Sequence, residues 1–415
     1  MRVSRAWFAC LLLLPTASCS GGSAPSGAAP QPTLPERSGP PAGMDESLRD
    51  AALELVEKRE DALVAGDRDA FLATVDPDAL TFAATQARWF DNMAQLPLTD
   101  VSYELGDESF MTQVAGAGDL QLPVDFTMRL EGFDERPVTQ QMVWTFARDG
   151  EDALLADDRN VQVEARSGWT PAPWDLGHIE VRRSDGILGV FDEETVDHAD
   201  YVMRDLADAR AAVRARLPRW SGRFVTYGTS DTAVMDEMSA MSVDDTAAVA
   251  FPVLSRPRGP VAAYRFMVNP EVVSDVLSRD LVFRHELVHV AFGTSDDRSP
   301  TWLAEGIAEY VARTPFSVDE RRRIASAQLV AARARTLEPT RRFYSRDPQL
   351  NYALSALVCD FLATTRGEDV LWDLVRTFDG ARFSFWTETE DVVRRELGVS
   401  TRELSAQALA WARSA

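Results

Sequence analysis

The chain has 415 residues, of which 45% are hydrophobic and 26% are charged. This apolar content excludes a wholly disordered chain, and the length favours two or three domains. A formal net charge of −22 argues against a nucleic-acid partner and against electrostatic docking on anionic lipid.

The first 19 residues are typical of an export signal. Two arginines precede an apolar run at 6–14, which is too short to span a bilayer. Small residues before Cys19 resemble the lipobox of bacterial lipoproteins, although Thr16 stands where leucine is usual. The resemblance implies that Cys19 is lipidated, which would anchor an exported protein to the extracytoplasmic face of the cell membrane. Ordinary signal cleavage, giving a secreted protein, is the alternative.

Residues 20–44 are rich in Ser, Gly, Ala and Pro and have few large apolar side chains, which is typical of a flexible linker. Helical periodicity follows at 45–65, with shorter helices predicted at 69–75 and 86–95. Alternating apolar and polar residues then predict five strands, at 101–105, 110–115, 122–130, 138–146 and 161–165.

Helices followed by antiparallel strands predict an α+β domain over residues 45–166. The segment at 62–71, ALVAGDRDAF, resembles the nuclear-transport-factor-2-like fold, which is cone-shaped. That fold is found in enzymes, binding modules and assembly domains, so it assigns no activity. The domain contains no histidine, and we therefore expect it to be a non-catalytic accessory domain.

A linker is predicted at 167–174, and a second domain at 177–415. Its first part has predicted strands at 179–182, 223–227, 247–254 and 262–268, with one long helix predicted at 193–217. From Pro270 onward the pattern is helical almost throughout. The expected class is therefore α+β for the whole chain, with a small sheet and a mainly helical C-terminal half in the second domain.

The most informative motif is HELVH at 285–289, inside a predicted buried helix. Residues four apart lie on one face of a helix, so His285 and His289 can bind the same metal ion. Glu286 is placed to take a proton from a water molecule that the metal activates. With only four histidines in the chain, the full His-Glu-x-x-His pattern, glutamate included, arises by chance in roughly 0.2% of chains of such composition.

Two histidines need a third protein ligand if one coordination position is to stay open. The downstream segment at 300–310, PTWLAEGIAEY, resembles the second helix of gluzincins, the thermolysin-like and aminopeptidase N-like "peptidase MA-like" zinc peptidases. The resemblance implies that Glu305 is the third ligand and that Glu309 orients a zinc-bound histidine. Glu309 as the ligand in place of Glu305, and Glu309 on a solvated helix face, are the alternatives.

Other parts of the resemblance concern the substrate. Tyr352, at the start of a predicted helix, would donate a hydrogen bond to the oxyanion of the intermediate, with Tyr344 as the competing candidate. The strand at 263–270 would be an edge strand that pairs with an extended substrate. The Gly-x-Met-x-Asn signature of aminopeptidase N is absent, and no histidine follows His289.

The resemblance implies a zinc metallopeptidase, with Zn²⁺ as cofactor and a peptide or protein as substrate. Two other interpretations stay open. The chain could be a non-catalytic binding or assembly lipoprotein, or the metal could be purely structural, which predicts unfolding on zinc removal. Cys359 is the one cysteine beyond the signal region, so we expect a buried thiol and no disulfide in the mature chain. The sequence carries no signal of oligomeric state.

Overall fold

The structure is a computed structural model that describes residues 46–106, 120–159, 171–229, 248–270, 275–329, 336–380 and 386–414. Helices make up 54% of it and strands 23%, in two sheets, so the expected α+β class is confirmed. The described residues form two compact units. One contains the residues up to Glu180 together with Val253–Ala262, and the other contains the remainder from Val181 onward.

The N-terminal unit begins with three helices: α1 (Glu46–Ala65), α2 (Arg68–Leu72) and α3 (Leu80–Met93). Apolar residues of α1 recur every three or four positions and are buried, which explains why this segment is an amphipathic helix. Gly66 ends α1 with a φ of +70°, a conformation that glycine adopts without strain. Asp67 then caps α2 by accepting a hydrogen bond from the Ala70 N–H at 3.0 Å.

Four antiparallel strands follow in the order β1-β2-β3-β4: β1 (Leu98–Leu105), β2 (Leu120–Leu130), β3 (Val138–Asp149) and β4 (Asp152–Asp157). Tyr103 and Phe126 lie opposite each other in the β1–β2 register, with ring centroids 4.8 Å apart. The strands predicted at 110–115 and 161–165 fall outside the described residues. The sequence did not predict strand β4. Asp152, its first residue, follows Gly150 and Glu151 and was assigned to a turn together with them.

A helical turn, α4 (Pro173–Leu176), lies where the sequence predicts a linker, and its Trp174 is buried. A second sheet follows, with the order β5-β6-β7-β9-β8. Its strands are β5 (Ile179–Ser184), β6 (Ile187–Asp192), β7 (Phe224–Gly228), β8 (Ala248–Leu254) and β9 (Val261–Val268). Strands β6, β7 and β9 are parallel, and α5 (Ala199–Arg216) is the crossover between β6 and β7.

Three predictions for this part of the chain, two on strands and one on a helix, need correction. Strand β6 was missed, and the helix predicted at 193–217 begins with a 3₁₀ turn at Val196–His198 before α5 starts at Ala199. The predicted edge strand at 263–270 is wrong in its position, because β9 lies between β7 and β8. Among the described strands, β8 is therefore the edge on this side of the sheet.

The remainder of the second unit is helical, as expected. It consists of α6 (Val276–Phe292), α7 (Thr294–Arg298), α8 (Thr301–Ala312), α9 (Val318–Gln328), α10 (Arg342–Ser345), α11 (Pro348–Arg366), α12 (Asp369–Gly380), α13 (Trp386–Leu397) and α14 (Thr401–Arg413). Among the described residues, no helix is long and apolar enough to cross a membrane.

Helix α8 is the centre of this helical core, where it packs against α6 and α11. Trp302, Leu303 and Ile307 are fully buried. A Cβ atom at Gly306 would lie 2.8 Å from the Ser355 carbonyl oxygen and from the Cys359 sulfur. The close approach of α8 to α11 therefore requires glycine at position 306, next to Glu305 in the sequence. Cys359 is a buried free thiol, as predicted.

Candidate metal centre

The HELVH segment lies in the C-terminal half of α6, as its periodicity predicts. Asp275 caps the helix by accepting a hydrogen bond from the Ser278 N–H at 2.9 Å. Gly293, with a φ of +54°, ends it shortly after the motif. The two imidazoles of His285 and His289 lie on one face, and their Nε2 atoms are 3.3 Å apart.

Helix α8 brings Glu305 to the same point. Its Oε2 atom lies 3.2 Å from Nε2 of His285 and 3.5 Å from Nε2 of His289. All three side chains are largely buried, and they form a group whose ligand atoms could hold one metal ion. The structure thus brings together the three residues predicted as ligands, across the 15 residues that separate His289 from Glu305.

The donor set fits a tetrahedral zinc site. With metal–ligand bonds of about 2.0–2.1 Å, tetrahedral ligand atoms are separated by about 3.3 Å, and the observed separations are 3.2, 3.3 and 3.5 Å. Oε2 of Glu305 is buried and has no hydrogen-bond partner among the described residues. Three lone-pair-bearing atoms repel one another at this distance unless a cation, either a proton or a metal ion, lies between them.

Each imidazole has a carboxylate at its other ring nitrogen. Nδ1 of His285 lies 3.3 Å from Oε1 of Glu309, the residue predicted to orient a ligand. Nδ1 of His289 lies 2.9 Å from Oδ1 of Asp296, which is on α7. The hydrogen bond to Asp296 fixes the ring orientation of His289, whereas Glu309 lies within ion-pair distance of Nδ1 of His285 without a hydrogen bond among the described residues. Sequence reasoning missed Asp296.

Charges at the centre shift the pKa values of the ligands. Burial alone would lower the pKa of His285, but the carboxylates of Glu305, Glu309 and Glu286 outweigh it and raise that pKa to about 10. In the same way, Asp296 and Glu305 outweigh burial and raise the pKa of His289 above its ordinary value. The pKa of Glu305 is lowered, because the two imidazoles outweigh its burial.

Glu286 lies beside the ligands on α6 and contacts the edge strand. Its Oε2 atom accepts a hydrogen bond from the Ala250 N–H of β8 at 3.0 Å. Burial raises the pKa of the Glu286 carboxyl, against the opposing effect of the two histidines. A carboxylate with a raised pKa is a stronger base, which is the property that proton abstraction from water needs.

The two candidate tyrosines have different contacts. The hydroxyl group of Tyr344, on α10, donates a hydrogen bond to Oε1 of Glu305 at 2.5 Å. Tyr352, on α11, packs its ring 6.2 Å from that of His285 and 4.9 Å from that of Phe343. No hydrogen bond to the Tyr352 hydroxyl is present in the described part of the chain. Tyr344 is therefore hydrogen-bonded to one of the three converging residues, whereas the contacts of Tyr352 are made by its ring.

No protein-family model matches the chain, and a comparison with curated proteins found no match. A functional proposal therefore rests on the geometry of the centre and on the sequence motifs.

Proposed function

We propose that this protein is a zinc-dependent metallopeptidase of the gluzincin type. The observation that carries the proposal is the convergence of Nε2 of His285, Nε2 of His289 and Oε2 of Glu305 within 3.5 Å, with the Glu286 carboxylate adjacent to them. The three residues would hold Zn²⁺. The proposed substrate is a peptide or protein.

Zinc held by these residues would supply Lewis-acid chemistry: it would lower the pKa of a water molecule towards neutrality and polarise a substrate carbonyl group. Glu286 accepts the proton of the attacking water molecule and passes a proton to the leaving amine. Its carboxylate is held by the Ala250 N–H, so it is oriented before the substrate arrives.

Two tyrosines have separate roles in the proposed reaction. Tyr352 donates a hydrogen bond to the carbonyl oxygen as negative charge develops there. Tyr344 holds Glu305 through the 2.5 Å hydrogen bond to its Oε1 atom, which leaves Oε2 for the metal. Glu309 and Asp296 orient the two imidazoles.

We further propose that the protein is exported and anchored to the membrane by a lipid on Cys19. The support is the apolar run at 6–14, the lipobox-like residues before Cys19 and the linker at 20–44. All three lie outside the described residues. Mass spectrometry of the mature chain tests this proposal, since acylation adds a defined mass to a peptide that begins at Cys19.

The decisive experiment combines zinc content with peptide hydrolysis for the wild-type chain and Glu286→Gln. We expect about one zinc per chain in both proteins, and a loss of turnover of about 10²–10⁴-fold in Glu286→Gln. Glu57→Gln, the same change at an exposed position on α1, is the matched control and should behave as wild type. Hydrolysis by Glu286→Gln at the wild-type rate would refute the mechanism, and a wild-type chain without zinc would refute the metal centre.

A further inference from the structure

A buried cation lies directly behind the residue that contacts His285. Nη2 of Arg313 is 2.5 Å from Oε2 of Glu309, and both side chains are about one-tenth exposed. The other oxygen of the same carboxylate, Oε1, lies 3.3 Å from Nδ1 of His285. The two oxygens of Glu309 therefore have different partners, one cationic and one on a proposed ligand.

The three residues Glu305, Glu309 and Arg313 follow one another at intervals of four along α8 and its C-terminal end. At this spacing they lie on one face of the helix. Arg313 is the residue at the helix C-terminus, and its N–H donates a hydrogen bond to the Glu309 carbonyl oxygen at 3.1 Å. The backbone of Arg313 is thus fixed relative to Glu309, and a cation there is also favoured by the helix dipole.

Without Arg313, this face of α8 would carry two buried carboxylates one turn apart. Like charges at this spacing repel each other, and the repulsion is stronger away from water. This repulsion would favour rotamers of Glu309 that point away from Glu305, and therefore away from His285. The ion pair removes this tendency, because it compensates one of the two charges and holds Oε2 in place.

We infer that Arg313 is a positioning residue of the metal centre. Its ion pair with Glu309 holds Oε1 against Nδ1 of His285, and so keeps Nε2 of that imidazole directed at the metal. The inference rests on the proposed function in one respect, since it requires that the centre binds zinc. Among the described residues the ion pair of Arg313 is with Glu309, so its effect on His285 passes through Glu309.

The test measures the zinc dissociation constant of the full chain by competition with a chromophoric chelator. We expect Arg313→Gln to weaken zinc binding about tenfold, the lower end of the range for changes at residues that support metal ligands. Arg279→Gln is the matched control. It removes another buried arginine, whose Nε lies 2.8 Å from Oδ2 of the buried Asp205, and it should leave the zinc affinity of the folded chain unchanged.

A double-mutant cycle with Glu309→Gln tests whether Arg313 acts through Glu309. We expect Glu309→Gln and Glu309→Gln/Arg313→Gln to bind zinc equally well, because the residue that transmits the effect is already gone. An additive further loss in the double variant would overturn the inference. So would wild-type zinc affinity in Arg313→Gln, although the proposed metal centre would then stand. A wild-type chain that binds no zinc would overturn both.

If Arg313→Gln does not fold, Arg313→Lys takes its place, because lysine keeps the charge but lacks the planar fork of donors. We expect zinc binding about threefold weaker than wild type, with the difference lost in the Glu309→Gln background. Wild-type zinc affinity in Arg313→Lys, or a difference that persists in the Glu309→Gln background, would overturn the inference.

Discussion

Zinc binding should become tighter as the pH rises from 6 to 8. In the metal-free chain the pKa of His285 is raised to about 10, and that of His289 is raised as well. The His285 imidazole therefore carries a proton over this range when no metal is present, and the raised pKa of His289 favours protonation of the second ring. Zinc binds the unprotonated nitrogen, so binding must release these protons.

The magnitude follows from the number of protons released. A pKa difference of one unit corresponds to about 1.4 kcal/mol for one proton, so release of the His285 proton makes zinc affinity rise by about 10-fold per pH unit. A proton released from His289 would make the rise steeper. The sign is fixed, because a raised pKa means that protons compete with zinc most strongly at low pH. Above the raised pKa of about 10 for His285, this competition from His285 ends.

Isothermal titration calorimetry in buffers of different ionisation enthalpy measures the proton release directly. We expect at least about one proton released per zinc at pH 7, from His285. The pH dependence of the dissociation constant, measured with a chelator as competitor, should agree with that number. Release of fewer than about half a proton, with an affinity independent of pH between 6 and 8, would refute the assignment of protonated imidazoles to the metal-free centre.

Three further sets of substitutions test other parts of the structure. Asp296→Asn should weaken zinc binding about 10–100-fold, as measured by chelator competition, because it removes the carboxylate partner of one imidazole. Gly306→Ala should lower the free energy of unfolding by about 1–3 kcal/mol in denaturant titrations, whereas Gly380→Ala, where a Cβ meets nothing within 4 Å, should not. Tyr352→Phe should reduce kcat by about 10²-fold with zinc affinity unchanged, whereas Tyr344→Phe should weaken zinc binding.

The class and most elements of the fold could be predicted from the sequence, because their patterns are local. Strand β6 could not, since it is a short apolar run buried on both faces and shows no alternation. The start of α5 was also misplaced. Asp192 accepts hydrogen bonds from the N–H and hydroxyl groups of Thr195 and forms a turn there, so the helix begins only after that turn.

The pairing of His285 and His289 was predictable because it also depends on a local pattern: residues i and i+4 are neighbours on one face of a helix. The contact between His289 and Asp296 was not. Gly293, with its positive φ, ends α6 between the two residues. They are not on one continuous helix, so helical periodicity does not predict that residues seven positions apart are neighbours here. The roles of the two tyrosines likewise depend on how α10 and α11 pack, which no local pattern specifies.

The balance of charge favours a cation at this centre. Four carboxylates surround the converging ligand atoms, and among the described residues one arginine is paired with them. The carboxylates belong to Glu286, Asp296, Glu305 and Glu309, and the arginine is Arg313. With both imidazoles neutral and all four carboxylates ionised, these side chains and Arg313 would together carry a net charge of about −3. Burying an uncompensated charge of this size is strongly unfavourable.

Two kinds of cation can compensate this charge. Protons on His285 and His289 do so in part when no metal is bound, which is why the pKa values of both imidazoles are raised. A divalent cation would supply positive charge at the point where the two Nε2 atoms and Oε2 of Glu305 meet. We therefore expect zinc and protons to compete for this site, with protons favoured at low pH and zinc at high pH.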